Sequence, residues 1–136
     1  MLLKFEGLLV RQCIFRGLPE GVRMPVDPPV QLGFEPQQVP DRLQSFQIAM
    51  GLKVLLSRDA DEKPVLELDV LGKFEAIGDL EPDFFTGPWA NINAPAITYP
   101  YVRAFVATFF VNAGYPALHL PAYNFMAFQK AESTEE

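Results

Sequence analysis

The sequence predicts an α+β fold, on three observations: two stretches where apolar and polar residues alternate, a two-sided apolar stretch at the start, and a long late segment with no polar face. The chain has 136 residues, 49% of them apolar and 21% charged, which suits one domain with a real core. A single domain is expected over residues 1–131, with Glu132–Glu136 as a disordered acidic tail.

Alternation is clearest from Phe46, where Phe46, Ile48, Met50, Leu52, Val54 and Leu56 fall on one face and Gln47, Ala49, Gly51 and Lys53 on the other. Leu66, Leu68, Val70, Phe74 and Ala76 repeat the pattern against Glu67, Asp69, Lys73 and Glu75. One dry face and one wet face describe strands of an antiparallel sheet covered on one side. The short charged stretch Arg58–Lys63 makes the two a hairpin.

The first strand, about Leu3 to Arg16, carries apolar groups on both faces (Leu8, Leu9, Val10, Cys13, Ile14 and Phe15), so something must cover its outer side. Another subunit is the economical cover. Prolines punctuate Leu18 to Pro40, which reads as a long crossover with at most one short edge strand, about Val30 to Phe34. A second loop, Gly78 to Pro95, carries Phe84, Phe85 and Trp89.

A long helix is predicted over Ile97–Gly114, with Pro100 in its first turn and Gly114 and Pro116 as its stop. Arg103, Thr108 and Asn112 are the only polar breaks in its later part. A helix apolar all round is buried all round. The sheet covers one side; the other must meet a second subunit, the short last helix (about Ala122 to Ala131) or a ligand. An oligomer is therefore expected.

Composition excludes several functions. A net charge of −6 without clustered Lys or Arg argues against nucleic acid. Cys13 and His119 are the only residues of their types, so an intrachain disulfide and a cysteine–histidine zinc site are both ruled out. The lone thiol, the interrupted apolar start and the lack of a long apolar run fit a cytoplasmic protein without membrane insertion. Glu67 and Asp69 stand roughly 6.6 Å apart along one strand face, a spacing a carboxylate pair could use, but the alternation reads as a solvated sheet face. His119, between leucines and prolines, reads as a packed or capping group; Cys13 reads as a small buried hydrophobe. No nucleophile sits in a recognisable motif, so no enzyme and no cofactor are expected.

The order of elements, Tyr99-Pro100-Tyr101-Val102-Arg103 opening the long helix, and the run Gly114-Tyr115-Pro116-Ala117-Leu118-His119-Leu120-Pro121-Ala122-Tyr123-Asn124-Phe125 together resemble the SecB family of protein-export chaperones. Gly72 with Phe74 matches that family's Gly-x-Phe in the last strand. Ala122 and Tyr123 depart from its usual proline and valine. The resemblance implies a four-stranded antiparallel sheet backed by one long and one short C-terminal helix. It implies a dimer of dimers in which first strands pair protomers and long helices are sandwiched, and Leu9, Cys13, Phe15, Tyr101, Phe105 and Phe109 become interface candidates. It also implies ATP-independent holding of unfolded polypeptides, with the export motor SecA as a partner of many members. Val65 and Glu67 match the family's SecA-contact pair, whereas Gln12 and Arg16 stand where further acidic contacts fall. Phe34, Phe84, Phe85, Trp89 and Tyr123 are the candidates for contact with unfolded clients, since exposed aromatic patches mark binding. A chaperone dedicated to one client, such as a toxin–antitoxin pair, and a small-ligand-binding oligomer are the alternatives.

Overall fold

The computed structural model describes residues 2–59 and 61–127. Four strands, β1 (Leu3–Phe15), β2 (Val30–Gln38), β3 (Ser45–Val54) and β4 (Leu66–Ala76), form one antiparallel sheet in the order β1-β4-β3-β2. The predicted alternation sets the register. Phe46 pairs with Phe74, Met50 with Val70, Leu52 with Leu68 and Val54 with Leu66, and all eight side chains are buried. The rings of Phe46 and Phe74 stack at 5.0 Å.

β1 and β2 lie at opposite edges, so the segment between them must cross the end of the sheet. β2 is longer than the stub expected over Val30–Phe34, and Pro36 lies inside it. The ladder explains why proline is tolerated there. Leu55 donates its amide to the Pro29 carbonyl at 2.9 Å, which puts the bonded positions of β2 at odd residues. Pro36, an even residue, turns its nitrogen away from β3, where an edge strand needs no donor to its neighbour.

The long helix, α1 (Ala94–Asn112), starts earlier than Ile97 because a π-helical turn, Trp89–Asn93, runs straight into it. That turn and a 3-10 turn at Pro82–Thr86 replace much of the loop expected over Gly78–Pro95. Asn91 ties them together, donating from its side-chain amide to the carbonyls of Phe85 and Gly87 at 3.0 and 2.9 Å. Pro100 consequently sits in the helix interior, not its first turn, and leaves one rung of the helical ladder unmade. Gly114, at φ +96°, ends the helix in the left-handed region, and Tyr115 donates its amide back to the Phe110 carbonyl at 2.9 Å.

A stripe at helical spacing (Thr98, Tyr99, Val102, Val106 and Phe110) packs on the sheet. Close approach needs Gly72: a Cβ there would stand 2.5 Å from Thr98 Oγ1 and 2.7 Å from its Cγ2. The Thr98 hydroxyl is satisfied by donating to the Ala94 carbonyl at 2.9 Å. After Gly114 the chain returns beneath the sheet and buries Leu118, Leu120 and Phe125. Asn124 accepts the Met126 and Ala127 amides at 3.1 and 3.3 Å, capping helical residues 125–127. The short helix expected from about Ala122 thus begins at Phe125, with residues 122–124 non-helical, and its residues 128–131 and the Glu132–Glu136 tail lie outside the described residues.

Gly72→Ala should destabilise the fold by about 1–3 kcal/mol, the usual cost of overpacking. Combining it with Thr98→Ala, which removes the two nearest atoms, should recover part of that loss; urea unfolding of the unmodified protein, both single variants and the double variant measures both.

Candidate functional site

Among the described residues, a concavity of about 830 Å³ lies between the crossover and the segment that follows α1. Val22, Met24 and Val26 line one wall, Tyr115 and Leu118 the other, with Arg23 and Asp27 at the rim. Val26 is 93% exposed and Val22 39%, so these apolar side chains meet water in the single chain. Proline restricts this stretch to extended and turn conformations, which holds small apolar groups at the surface without a ladder. His119 is exposed beside this groove, not packed as its neighbours suggested, because Leu118 and Leu120 take the inward positions on either side.

The predicted aromatics form two further groups. Phe34 meets Phe125 at 5.5 Å, and Tyr99 lies 5.2 Å from Tyr123 and 5.9 Å from Phe125. Tyr99 donates its hydroxyl to the Pro121 carbonyl. Phe84 is buried against Phe46, with ring centroids 4.8 Å apart, and Phe85 sits 5.3 Å from Phe84. Trp89 stands 37% exposed on the π-helical turn. Phe34 and Tyr123 thus share one cluster, Phe84 and Phe85 another, and Trp89 is the most open of the five.

A second groove, about 590 Å³, runs between Leu8 and Val10 of β1 and the outer side of α1. Tyr101, Phe105 and Phe109 line it, Tyr101 being 51% exposed. Phe15 anchors Phe109 at 5.1 Å and Phe5 stacks on Tyr101 at 4.4 Å. Cys13 faces the same side, half-buried, and burial pushes its thiol pKa up. Leu9 faces the opposite side, with Leu71 as its β4 neighbour.

On that opposite face an open trough of about 570 Å³ follows Gly33 and Gly51, which are paired across β2 and β3. Two of its acidic groups, Glu67 and Asp69, are matched by β1 arginines. Arg11 pairs with Asp69 at 2.9 Å; Arg16 pairs with Glu67 at 2.7 Å and also donates to the Pro64 carbonyl at 2.8 Å. Val65 is buried beside them and accepts the Arg16 amide. Among the described residues no group of three or more His, Cys, Asp or Glu could hold a metal ion, and no helix is long and apolar enough to cross a membrane.

The wall residues Val22, Met24, Val26 and Leu118 were not among the sequence candidates. Their signal was legible: three apolar residues at alternate positions in a proline-rich segment with too little regular structure to bury them.

Comparison with known proteins assigns the family. The family of preprotein translocase subunit SecB matches residues 17–136, and the chain belongs to the SecB family. A protein-export protein SecB of Methylibium petroleiphilum is 45% identical over 51 residues, 38% of this chain and 31% of that protein. An uncharacterized protein of Methanocaldococcus jannaschii is 29% identical over 98% of this chain and 90% of its own length. The SecB of Paracoccus denitrificans is 26% identical over 96% of this chain and 70% of its own. Among solved structures, the Mycobacterium tuberculosis SecB-like chaperone in complex with a peptide from the HigA1 antitoxin superposes with a TM-score of 0.56 at 17% identity. That match covers 90% of this chain and 88% of the other, and it shows the shared fold.

Burial, with a smaller contribution from Tyr123, raises the Tyr99 phenol well above its ordinary value of 10.0, while Arg103 opposes the shift; burial also raises Tyr123. The folded state then holds these protons more tightly than the unfolded chain. The associated stability is complete below about pH 10 and declines as pH rises above it. Chemical denaturation between pH 8 and pH 11 should show that decline, and Tyr99→Phe should make it shallower.

Proposed function

We propose that the protein is an ATP-independent holding chaperone that keeps unfolded polypeptides in a non-native, translocation-competent state. The observation that carries this reading is the 830 Å³ groove, whose wall presents Val22 and Val26 to water. An extended client laid along it would bury Leu or Phe side chains at roughly 1.5–3 kcal/mol each before ordering costs. Burial is non-directional, so such binding tolerates many sequences. Folded proteins escape because their apolar segments are already buried. Trp89 and the Phe34–Tyr123 cluster extend the apolar surface that a longer client could use.

Assembly as a dimer of dimers fits the second groove. Cys13 and Phe15 of β1 with Tyr101, Phe105 and Phe109 of α1 lie on that side and supply apolar surface that a single chain leaves partly open, while Leu9 offers a contact on the opposite sheet face. Several grooves on one body then raise effective concentration for long clients. A cytoplasmic location follows from this role. SecA contact through Val65 and Glu67 meets a surface on which Arg16 already engages Glu67 and Arg11 engages Asp69. This charge compensation favours a second reading, a chaperone dedicated to one client, as the antitoxin-peptide complex of the Mycobacterium tuberculosis relative illustrates.

At a stoichiometric ratio and without nucleotide, the protein should suppress aggregation of thermally denatured citrate synthase, and Val22→Asp with Val26→Asp should lower that suppression severalfold while leaving the fold intact. Failure of the unmodified protein to suppress aggregation, together with no binding to unfolded chains, contradicts the reading. Sedimentation velocity should give a mass of about four chains; a strict monomer contradicts the assembly.

A further inference from the structure

The crossover is tied to the body at its two ends and at one point between them. At the start Arg16 donates its amide to the Val65 carbonyl at 2.9 Å, and at the close Pro29 accepts the Leu55 amide. Among the described residues, one hydrogen bond joins residues 18–28 to the rest of the chain: Leu18 N–H donates to the Tyr115 hydroxyl at 3.3 Å. The Tyr115 ring is fixed from below by Phe15 and Phe110, at 5.7 and 6.3 Å. Gly17, at φ +72°, runs so close that a Cβ would stand 3.2 Å from the same hydroxyl. Gly21 is also left-handed, at φ +78°.

Little else holds this strap down. Leu18 and Met24 are half-buried and Pro28 is buried, but Val22 and Val26 project into water. The strap forms one wall of the groove, and Tyr115 belongs to the other. A single oxygen thus spans the groove's two walls at their hinge.

We propose that Tyr115 is a positioning residue for the groove. Its hydroxyl accepts the Leu18 N–H and latches the crossover against the end of α1. Release of that bond lets the strap swing about Gly17 and widens the groove. The consequence for clients rests on the holding-chaperone reading: the latch slows departure of a bound extended chain. The latch itself is a property of the free protein and can be measured without any client.

Tyr115→Phe keeps the ring and removes only the acceptor. In the free protein, amide exchange at Leu18 should quicken about five-fold, the size of one ordinary hydrogen bond. Trypsin cleavage after Arg23 should quicken with it, and the melting temperature should stay close to that of the unmodified protein. Release of fluorescein-labelled, reduced and carboxymethylated lactalbumin, followed by stopped flow, should quicken by a similar factor. Gly17→Ala, which crowds the hydroxyl while leaving it present, should act in the same direction. Unchanged Leu18 exchange in Tyr115→Phe overturns the latch whatever the client does. Faster exchange with unchanged lactalbumin release overturns its role in client residence. If the unmodified protein binds no lactalbumin, the holding reading fails, and Leu18 exchange still decides whether the latch exists.

Discussion

The contact between Gly72 and Thr98 sets how closely α1 lies on the sheet, and the rest of the molecule is arranged around that distance. With no side chain at Gly72, the helix descends until Thr98 touches the backbone of β4. Val102, Val106 and Phe110 then reach the dry face made by Phe46 to Val54 and Leu66 to Ala76. Phe110 sits at the far end of that stripe and helps fix Tyr115. The position of the groove wall is therefore inherited from a helix-to-sheet packing distance set four helical turns away.

One side of α1 is committed to the core, and the chain alone leaves the other side only partly covered. Tyr101, Phe105 and Phe109 are too large and apolar for a solvated face, yet they gain only partial cover from β1. The crossover poses the same problem at smaller scale with Val22 and Val26. The two apolar surfaces suit two different occupants. The α1 surface is broad and lined by rings that already stack on one another, which suits a permanent partner. The crossover surface is walled by small branched side chains on a strap with few ties, which suits exchangeable chains.

Much of this fold was legible because period-two alternation and a uniformly apolar helix are strong signals. The faces of β3 and β4 followed from Phe46–Val54 and Leu66–Ala76 directly. The extent of β2 did not, since Pro36 reads as a strand breaker until the register shows its nitrogen facing outward. The start of α1 was hidden by Pro95 and Pro100, which suggest a beginning where the chain is already helical through a π-helical turn braced by Asn91. Site residues were harder. Aromatic size drew attention to Phe84, which packs on Phe46, while the smaller Val22, Met24 and Val26 form the open wall. Ion pairing between strands was invisible as well: Arg11 and Arg16 meet Asp69 and Glu67 only because β1 lies beside β4, an adjacency that brings together residues 58 positions apart for Arg11 and Asp69.

The most direct measurement is a hydrogen-exchange footprint of the protein with and without an unfolded polypeptide bound. If extended chains lie in the groove, the client should slow exchange over residues 18–27 and 115–119 and leave the outer strand faces around Gly33 and Gly51 unchanged. Protection confined to those outer faces, or no protection anywhere at saturating client, would contradict the account.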